Sequence, residues 1–347
     1  MPKKILFICG SLNQTSMMHQ ISKFFADHEC YFTPYYGDGW INYLVGKGYG
    51  KFSILNGPFR WNTEKYIREN NLQLDYRGAS HNYDLVYTCA DLIYPKNIRN
   101  KKVILVQEGM TDPENFMFYL VKYFRIYRWL ASTSTMGMSY RYNYFCVASE
   151  GYKDFFVNRK GVDPQKIIVT GIPNFDNIQQ FQNNDFSLKN YALVCTSDAR
   201  ETYKIENRIK FIKECVKIAN GKQLVFKLHP NENFDRATNE INTHAPGAIV
   251  FTSGNTNHMI ANCDVLIVKY SSTAFVGLIL GKEVHSYFDI EELKKLLPLQ
   301  NNGTSAERIA RVGMRLMESD PEPANEEGFI KSLLSRLKSY KNSFKAT

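Results

Sequence analysis

No window of this 347-residue chain approaches the roughly 20 consecutive apolar residues that a membrane-crossing helix requires. The N-terminal apolar run stops at Gly10 after only five residues, Ile5 to Cys9. That is too short for a signal peptide, so it is expected to form a first strand, in a cytoplasmic protein. Cysteine is sparse and unpatterned. Cys9, Cys30, Cys89, Cys146, Cys195, Cys215 and Cys263 show no CxxC or metal-like spacing, and most lie in apolar runs. They read as small core residues in a reducing compartment. No internal repeat or low-complexity tract is present. The formal charge of +9 is not gathered in a tail, since residues 1–180 carry +6 and the remainder +3. A basic surface of this kind favours anionic partners: nucleotides, anionic glycans, lipid headgroups or nucleic acid.

Strand-like runs alternate with helix-length segments throughout. Residues 4–9, 30–36, 84–88, 102–106, 144–148 and 167–170 read as strands, with helices expected near 14–28, 115–131 and 150–158. Gly37 to Gly57, rich in Gly, Tyr and Trp, reads as a long loop. The polar stretch Asn174 to Asn190 reads as a linker. A second series follows, with strands at 191–196, 223–228, 248–252, 264–268 and 283–287, helices at 203–219 and 233–243, and a closing basic amphipathic helix near 326–341. The expected fold is α/β, two Rossmann-like domains facing across a cleft, with boundaries at 1–180 and 181–347.

Three strand ends carry chemistry. Val225-Phe226-Lys227-Leu228 delivers His229, which Pro230 holds extended. An imidazole there can donate to a phosphate or act on a leaving group, or it can be a satisfied histidine at a strand end. Lys227 alternates with His229 and is expected on the same face. Ser271, Ser272 and Thr273 lie between the strand at 264–268 and a helical pattern, where hydroxyls and N–H groups can surround an anion or simply cap the helix. Val103 to Val106 ends in Gln107-Glu108-Gly109, which makes Glu108 either a general base or the start of a turn. Asp112 is expected to cap a helix at Pro113.

The segment 115–131 reads as one helix, with Lys122, Arg125 and Arg128 three apart along one side and aromatic residues around the rest. It suits an anionic membrane interface and a lipid-linked acceptor, or equally a core helix with a solvated basic stripe. Base stacking on nucleic acid is disfavoured.

Gln107-Glu108-Gly109, His229-Pro230 and Ser271-Ser272, in that order, resemble the motifs of the GT-B glycosyltransferase superfamily, in particular bacterial sialyltransferases and Kdo transferases that use CMP-sugars. Lys166 to Pro173 is similar to the interdomain segment of UDP-N-acetylglucosamine 2-epimerases. The same run, with His229-Pro230 and Tyr270-Ser271-Ser272, resembles CDP-glycerol glycerophosphotransferases. The epimerases follow their serine with Gly-Gly and paired glutamates, where this chain has Thr273-Ala274-Phe275. The phosphotransferases place an acidic residue soon after the serines, where Val276 and Gly277 stand. The resemblance implies metal-independent transfer from a nucleotide-sugar, CMP-linked in the first instance, to a surface polysaccharide or lipopolysaccharide. Glu108 would act as base and His229 at the leaving phosphate, with Ser271, Ser272, Thr273, Lys227 and Pro230 around the donor. A phosphotransferase, an epimerase and an inactive glycan-binding subunit are the alternatives.

Overall fold

The computed structural model describes residues 2–50, 53–124, 126–201 and 206–319. The chain divides into two compact units. The first takes Met1–Asn174 and the chain from Gly303 onward, and the second takes Phe175–Asn302.

In the first unit, strands β1 (Lys4–Cys9), β2 (Glu29–Pro34), β3 (Gln73–Leu74), β4 (Leu85–Thr88), β5 (Lys102–Val106), β6 (Tyr144–Val147) and β7 (Ile167–Val169) form one parallel sheet in the order β3-β2-β1-β4-β5-β6-β7. Helices α1 (Leu12–Ser22), α2 (Gly39–Gly46), α3 (Gly57–Glu69), α4 (Phe116–Phe124) and α5 (Glu150–Lys160) run between the strands. The central strands are continuous apolar runs because helices cover both faces of such a sheet; Ile5, Leu6, Phe7, Ile8 and Cys9 are all buried. Ser11 and Ser149 cap α1 and α5, accepting N–H groups of Gln14 and Tyr152, and Gly161 ends α5 in the left-handed region at φ 70°.

The second unit holds β8 (Ala192–Cys195), β9 (Leu224–Lys227), β10 (Ile249–Phe251), β11 (Val265–Ile267) and β12 (Glu283–His285), all parallel, in the order β10-β9-β8-β11-β12. Its helices are α6 (Arg208–Ala219), α7 (Phe234–His244), α8 (Thr256–Asn262), α9 (Thr273–Ile279) and α10 (Ile290–Lys295). Phe211, Ile212 and Cys215 of α6 and Ala237 and Ile241 of α7 pack on Val194, Phe226 and Ile267 of the sheet. Strand order reverses between β1 and β4 in the first unit and between β8 and β11 in the second. Open α/β sheets bind ligands outside the carboxyl ends of the strands at such reversals.

Several expectations need correction. The boundary falls at Asn174/Phe175, and α11 (Ser305–Glu318) returns to the first unit rather than staying with residues 181–347. Its Ile309 carbonyl accepts the Tyr87 hydroxyl at 3.2 Å, and Gly313 lies so close that a Cβ would stand 2.0 Å from Tyr87 Oη. The stretch Gly37 to Gly57 contains α2. The helix expected at 203–219 is seen from Arg208, and the one near 326–341 lies outside the described residues. Six cysteines are buried and Cys30 is half-buried, and burial pushes the thiols of Cys146, Cys195, Cys215 and Cys263 up to about 12. Among the described residues no helix is long and apolar enough to cross a membrane.

Candidate functional site

Glu108 stands just past the end of β5. Its Oε1 accepts the Ser11 hydroxyl at 2.8 Å and its Oε2 accepts Nε2 of Gln14 at 2.6 Å. The carboxylate is therefore half-buried at the amino end of α1, beside the strand reversal, where the helix dipole favours negative charge. Gln107 does a different job. Its side chain is buried, donates to the Gly109 carbonyl at 2.8 Å and accepts the Ala148 N–H at 2.9 Å. It fixes the turn from which Glu108 emerges. Asp112 caps no helix: its carboxylate accepts the Thr133 hydroxyl at 2.9 Å, and Asn115 caps α4 instead through the Phe118 N–H at 3.1 Å.

In the second unit His229 follows the end of β9. The Asn231 N–H donates to its Nδ1 at 3.3 Å, which leaves the proton of the neutral ring on Nε2. Asp198 Oδ2 lies 3.7 Å from Nδ1 and accepts Nδ2 of Asn231 at 3.0 Å. The backbone is held as firmly. The His229 N–H donates to Thr196 Oγ1 at 3.0 Å and to Glu232 Oε2 at 2.9 Å. Glu232 is itself fully buried, accepts the Thr196 hydroxyl and pairs with Arg208. Arg208 then reaches Glu206 at 3.2 Å, and Glu206 reaches Lys269 at 2.6 Å. Lys269 immediately precedes the Tyr270-Ser271-Ser272 loop. A buried chain of alternating charge thus ties the His229 loop to the serine loop.

The serine loop differs from expectation in one respect. The N–H groups of Thr273, Ala274 and Phe275 donate within the turn, to Ser271 Oγ and to the carbonyls of Ser271 and Ser272. Ser271 Oγ also lies 2.8 Å from Thr273 Oγ1. Helix α9 does not offer those three N–H groups to a ligand, and the hydroxyl of Ser272 caps nothing. Lys227 is buried and its ammonium donates to the Leu228 carbonyl at 2.9 Å, with burial pushing its pKa down, whereas the His229 ring is part-exposed and Pro230 exposed.

Lys122 and Arg128 do not share one helix. Helix α4 ends at Phe124, Lys122 donates to the Arg159 carbonyl at the end of α5 at 3.0 Å, and Arg128 pairs with buried Asp91 at 3.2 Å. Arg125 lies outside the described residues. Local demand for partners, at a carbonyl end and at a buried carboxylate, overrides the three-residue spacing. Among the described residues no group of three or more His, Cys, Asp or Glu is placed to hold a metal.

Sequence reading missed Ser11, Gln14, Asp198, Glu206, Arg208 and Glu232. Glu232, three residues after His229, carried the one legible signal: a polar side chain positioned to turn back on its own loop.

A family model described as CDP-Glycerol:Poly(glycerophosphate) glycerophosphotransferase matches residues 90–292, more than half of the chain and including Glu108, His229 and Ser271. The chain belongs to the CDP-glycerol glycerophosphotransferase family. It is therefore a transferase with the GT-B fold, and the family is the one the sequence motifs placed second, behind the CMP-sugar transferases. No curated protein matches the chain. Among solved structures, a UDP-N-acetylglucosamine 2-epimerase is 13% identical at TM-score 0.53, covering 93% of this chain and 99% of its own. A putative UDP-N-acetylglucosamine 2-epimerase from Listeria monocytogenes is 13% identical at TM-score 0.52, covering 100% and 98%. A variant of the wall teichoic acid polymerase TagF is 13% identical at TM-score 0.47, covering 99% and 90%. At such identity the epimerase likenesses speak for the fold alone.

Proposed function

We propose that this family member transfers a phosphopolyol group from a cytidine-nucleotide donor to a hydroxyl-bearing acceptor and releases CMP. The observation that carries the reading is the His229 loop. Its imidazole is oriented through Nδ1 and its backbone is pinned by Glu232 and Thr196, at the carboxyl edge beside the β8/β11 reversal and within the family's span.

Glu108 takes the proton of the acceptor hydroxyl. The freed oxygen attacks the distal phosphorus of a CDP-linked polyol, forming an O–P bond as the P–O bond to the inner phosphate breaks. The electron pair goes to the departing CMP, whose charge His229 Nε2–H and the hydroxyls of Ser271, Ser272 and Thr273 offset. A CMP-sugar donor with a surface polysaccharide or lipopolysaccharide acceptor would expel the same CMP, with carbon as the electrophile. Family membership favours phosphorus. The exposed rings of Phe116, Tyr123 and Phe124 on α4 support peripheral contact with a lipid surface that bears the acceptor.

Calorimetric titration with CMP, CDP, UDP and GDP tests the donor assignment. CMP and CDP are expected to bind in preference, and His229→Ala to weaken both by about 10- to 100-fold, the value of a hydrogen bond to a charged group. A UDP preference would point to epimerase-like chemistry, and absence of nucleotide binding to an inactive glycan-binding subunit.

A further inference from the structure

The first unit contains a cavity of about 180 Å³ that the chemistry above does not use. It lies at the carboxyl end of β2, lined by Tyr35, Tyr36, Tyr76, Asn42, Arg60 and Arg77 among others. We propose that this cavity binds a phosphate-bearing polyol, the terminal unit of the acceptor; the proposal rests on the phosphotransferase reading.

The two guanidinium groups supply the anion recognition. Arg60, on α3, uses Nε for Glu64 at 2.8 Å, and among the described residues neither Nη makes a hydrogen bond. Its Cζ lies 6.0 Å from the centre of the Tyr76 ring. Arg77 sits at φ 64°, ψ 13°, left-handed backbone that a non-glycine residue occupies only when its surroundings hold it there. The holding groups are present: its N–H donates to Thr33 Oγ1 at 2.8 Å and its carbonyl accepts Asn97 Nδ2 at 2.9 Å. Its guanidinium pairs only loosely, Nη2 standing 3.5 Å from Asp38 in a part-exposed contact worth little in water. A phosphate offers a guanidinium stronger, paired acceptor geometry than that contact.

The remaining wall suits a short carbon skeleton. The hydroxyls of Tyr35 and Tyr36 are turned to the Ile93 carbonyl at 2.7 Å and Asn97 Oδ1 at 2.9 Å, and burial raises both phenol pKa values. Their rings, with Pro34, Val45 and Leu55, therefore present mainly apolar surface. The volume is below the roughly 300–1,000 Å³ of pockets for drug-sized ligands and fits one small phosphorylated unit. Position completes the case. Thr63, three residues after Arg60 on α3, donates its hydroxyl to the Gly10 carbonyl at 2.8 Å, and the next residue, Ser11, donates to Glu108. The arginine-bearing helix and the assigned base are thus anchored to the same loop after β1.

Calorimetric titration of the full chain with glycerol 3-phosphate, glycerol and inorganic phosphate tests the assignment. Glycerol 3-phosphate is expected to bind more tightly than either fragment, and Arg60→Gln and Arg77→Gly each to weaken it about tenfold with CMP affinity unchanged. Glycine adopts the backbone of position 77 without strain, so Arg77→Gly removes the guanidinium and leaves the turn. Equal affinity in wild type and both variants, or phosphate binding as tightly as glycerol 3-phosphate, would overturn the proposal. Loss of CMP binding with arginine-dependent glycerol 3-phosphate binding would sink the donor reading and leave the cavity standing. Where glycerol 3-phosphate binding depends on the arginines, sedimentation with phosphatidylglycerol vesicles identifies its source: vesicle binding weakened by Arg60→Gln and Arg77→Gly places the headgroup on a lipid, and vesicle binding that both variants retain belongs to the rings of α4 and leaves the cavity to a water-soluble acceptor.

Discussion

Replacing Glu108 by glutamine is expected to lower turnover by about 10²- to 10⁴-fold, the usual share of a general base, while donor nucleotide affinity stays within about twofold. The isosteric change is structurally mild for a specific reason. Ser11 still finds an oxygen acceptor in the new amide, and Gln14, whose Oε1 is buried and has no partner among the described residues, can turn its own amide to accept the new N–H group. The seat at the amino end of α1 survives and only the proton acceptor is lost. Steady-state kinetics with a thermal melt of the same preparation checks this. Turnover that survives with an unchanged melt would leave Glu108 the role of a carboxylate anchoring Ser11 and Gln14, and the base would have to be sought elsewhere.

The second large effect is expected at Arg208. Its side chain is almost fully buried among Glu232, Glu206 and the Ser197 carbonyl, at 3.0 Å from the last. Arg208→Met leaves the Glu232 carboxylate buried without its cation. Breaking a buried pair from one side costs about 3–5 kcal/mol. Denaturant unfolding of the second unit is expected to shift by that amount, and nucleotide affinity to fall because Glu232 no longer holds the His229 backbone in place. Adding Glu232→Gln should recover part of the loss, with a coupling energy of about 0.5–3 kcal/mol for groups in one network. A change below about 1 kcal/mol with nucleotide affinity intact would show that the charged chain does not organise the loop.

Legibility in the sequence followed the range of the interaction. Apolar runs such as Ile5 to Cys9 or Val103 to Val106 announced buried parallel strands, because two covered faces demand continuous hydrophobicity. His229 and Ser271 were placed at strand ends by local pattern alone. Spacing could not reveal pairings across the sheet. Ser11 and Gln14 meet Glu108 only because β1 and β5 flank β4, and Asp91 draws Arg128 out of a stripe that helical spacing had drawn for it. No helix was expected at 305–318, and the docking of α11 is decided across the fold by Tyr87 and Gly313. Of the ion chain from Lys269 to Glu232 only the nearness of Glu232 to His229 was legible, since its pairing through Arg208 and Glu206 joins residues far apart in the sequence.

The most direct test of the central claim follows phosphorus by ³¹P NMR as the purified protein is incubated with CDP-glycerol and a glycerol phosphate acceptor. CMP and a new phosphodiester resonance are expected to grow in together, and both to be missing with Glu108→Gln. Unchanged CDP-glycerol, alongside CMP release from a CMP-sugar under the same conditions, would contradict the phosphotransferase reading and return the protein to the sugar transferases.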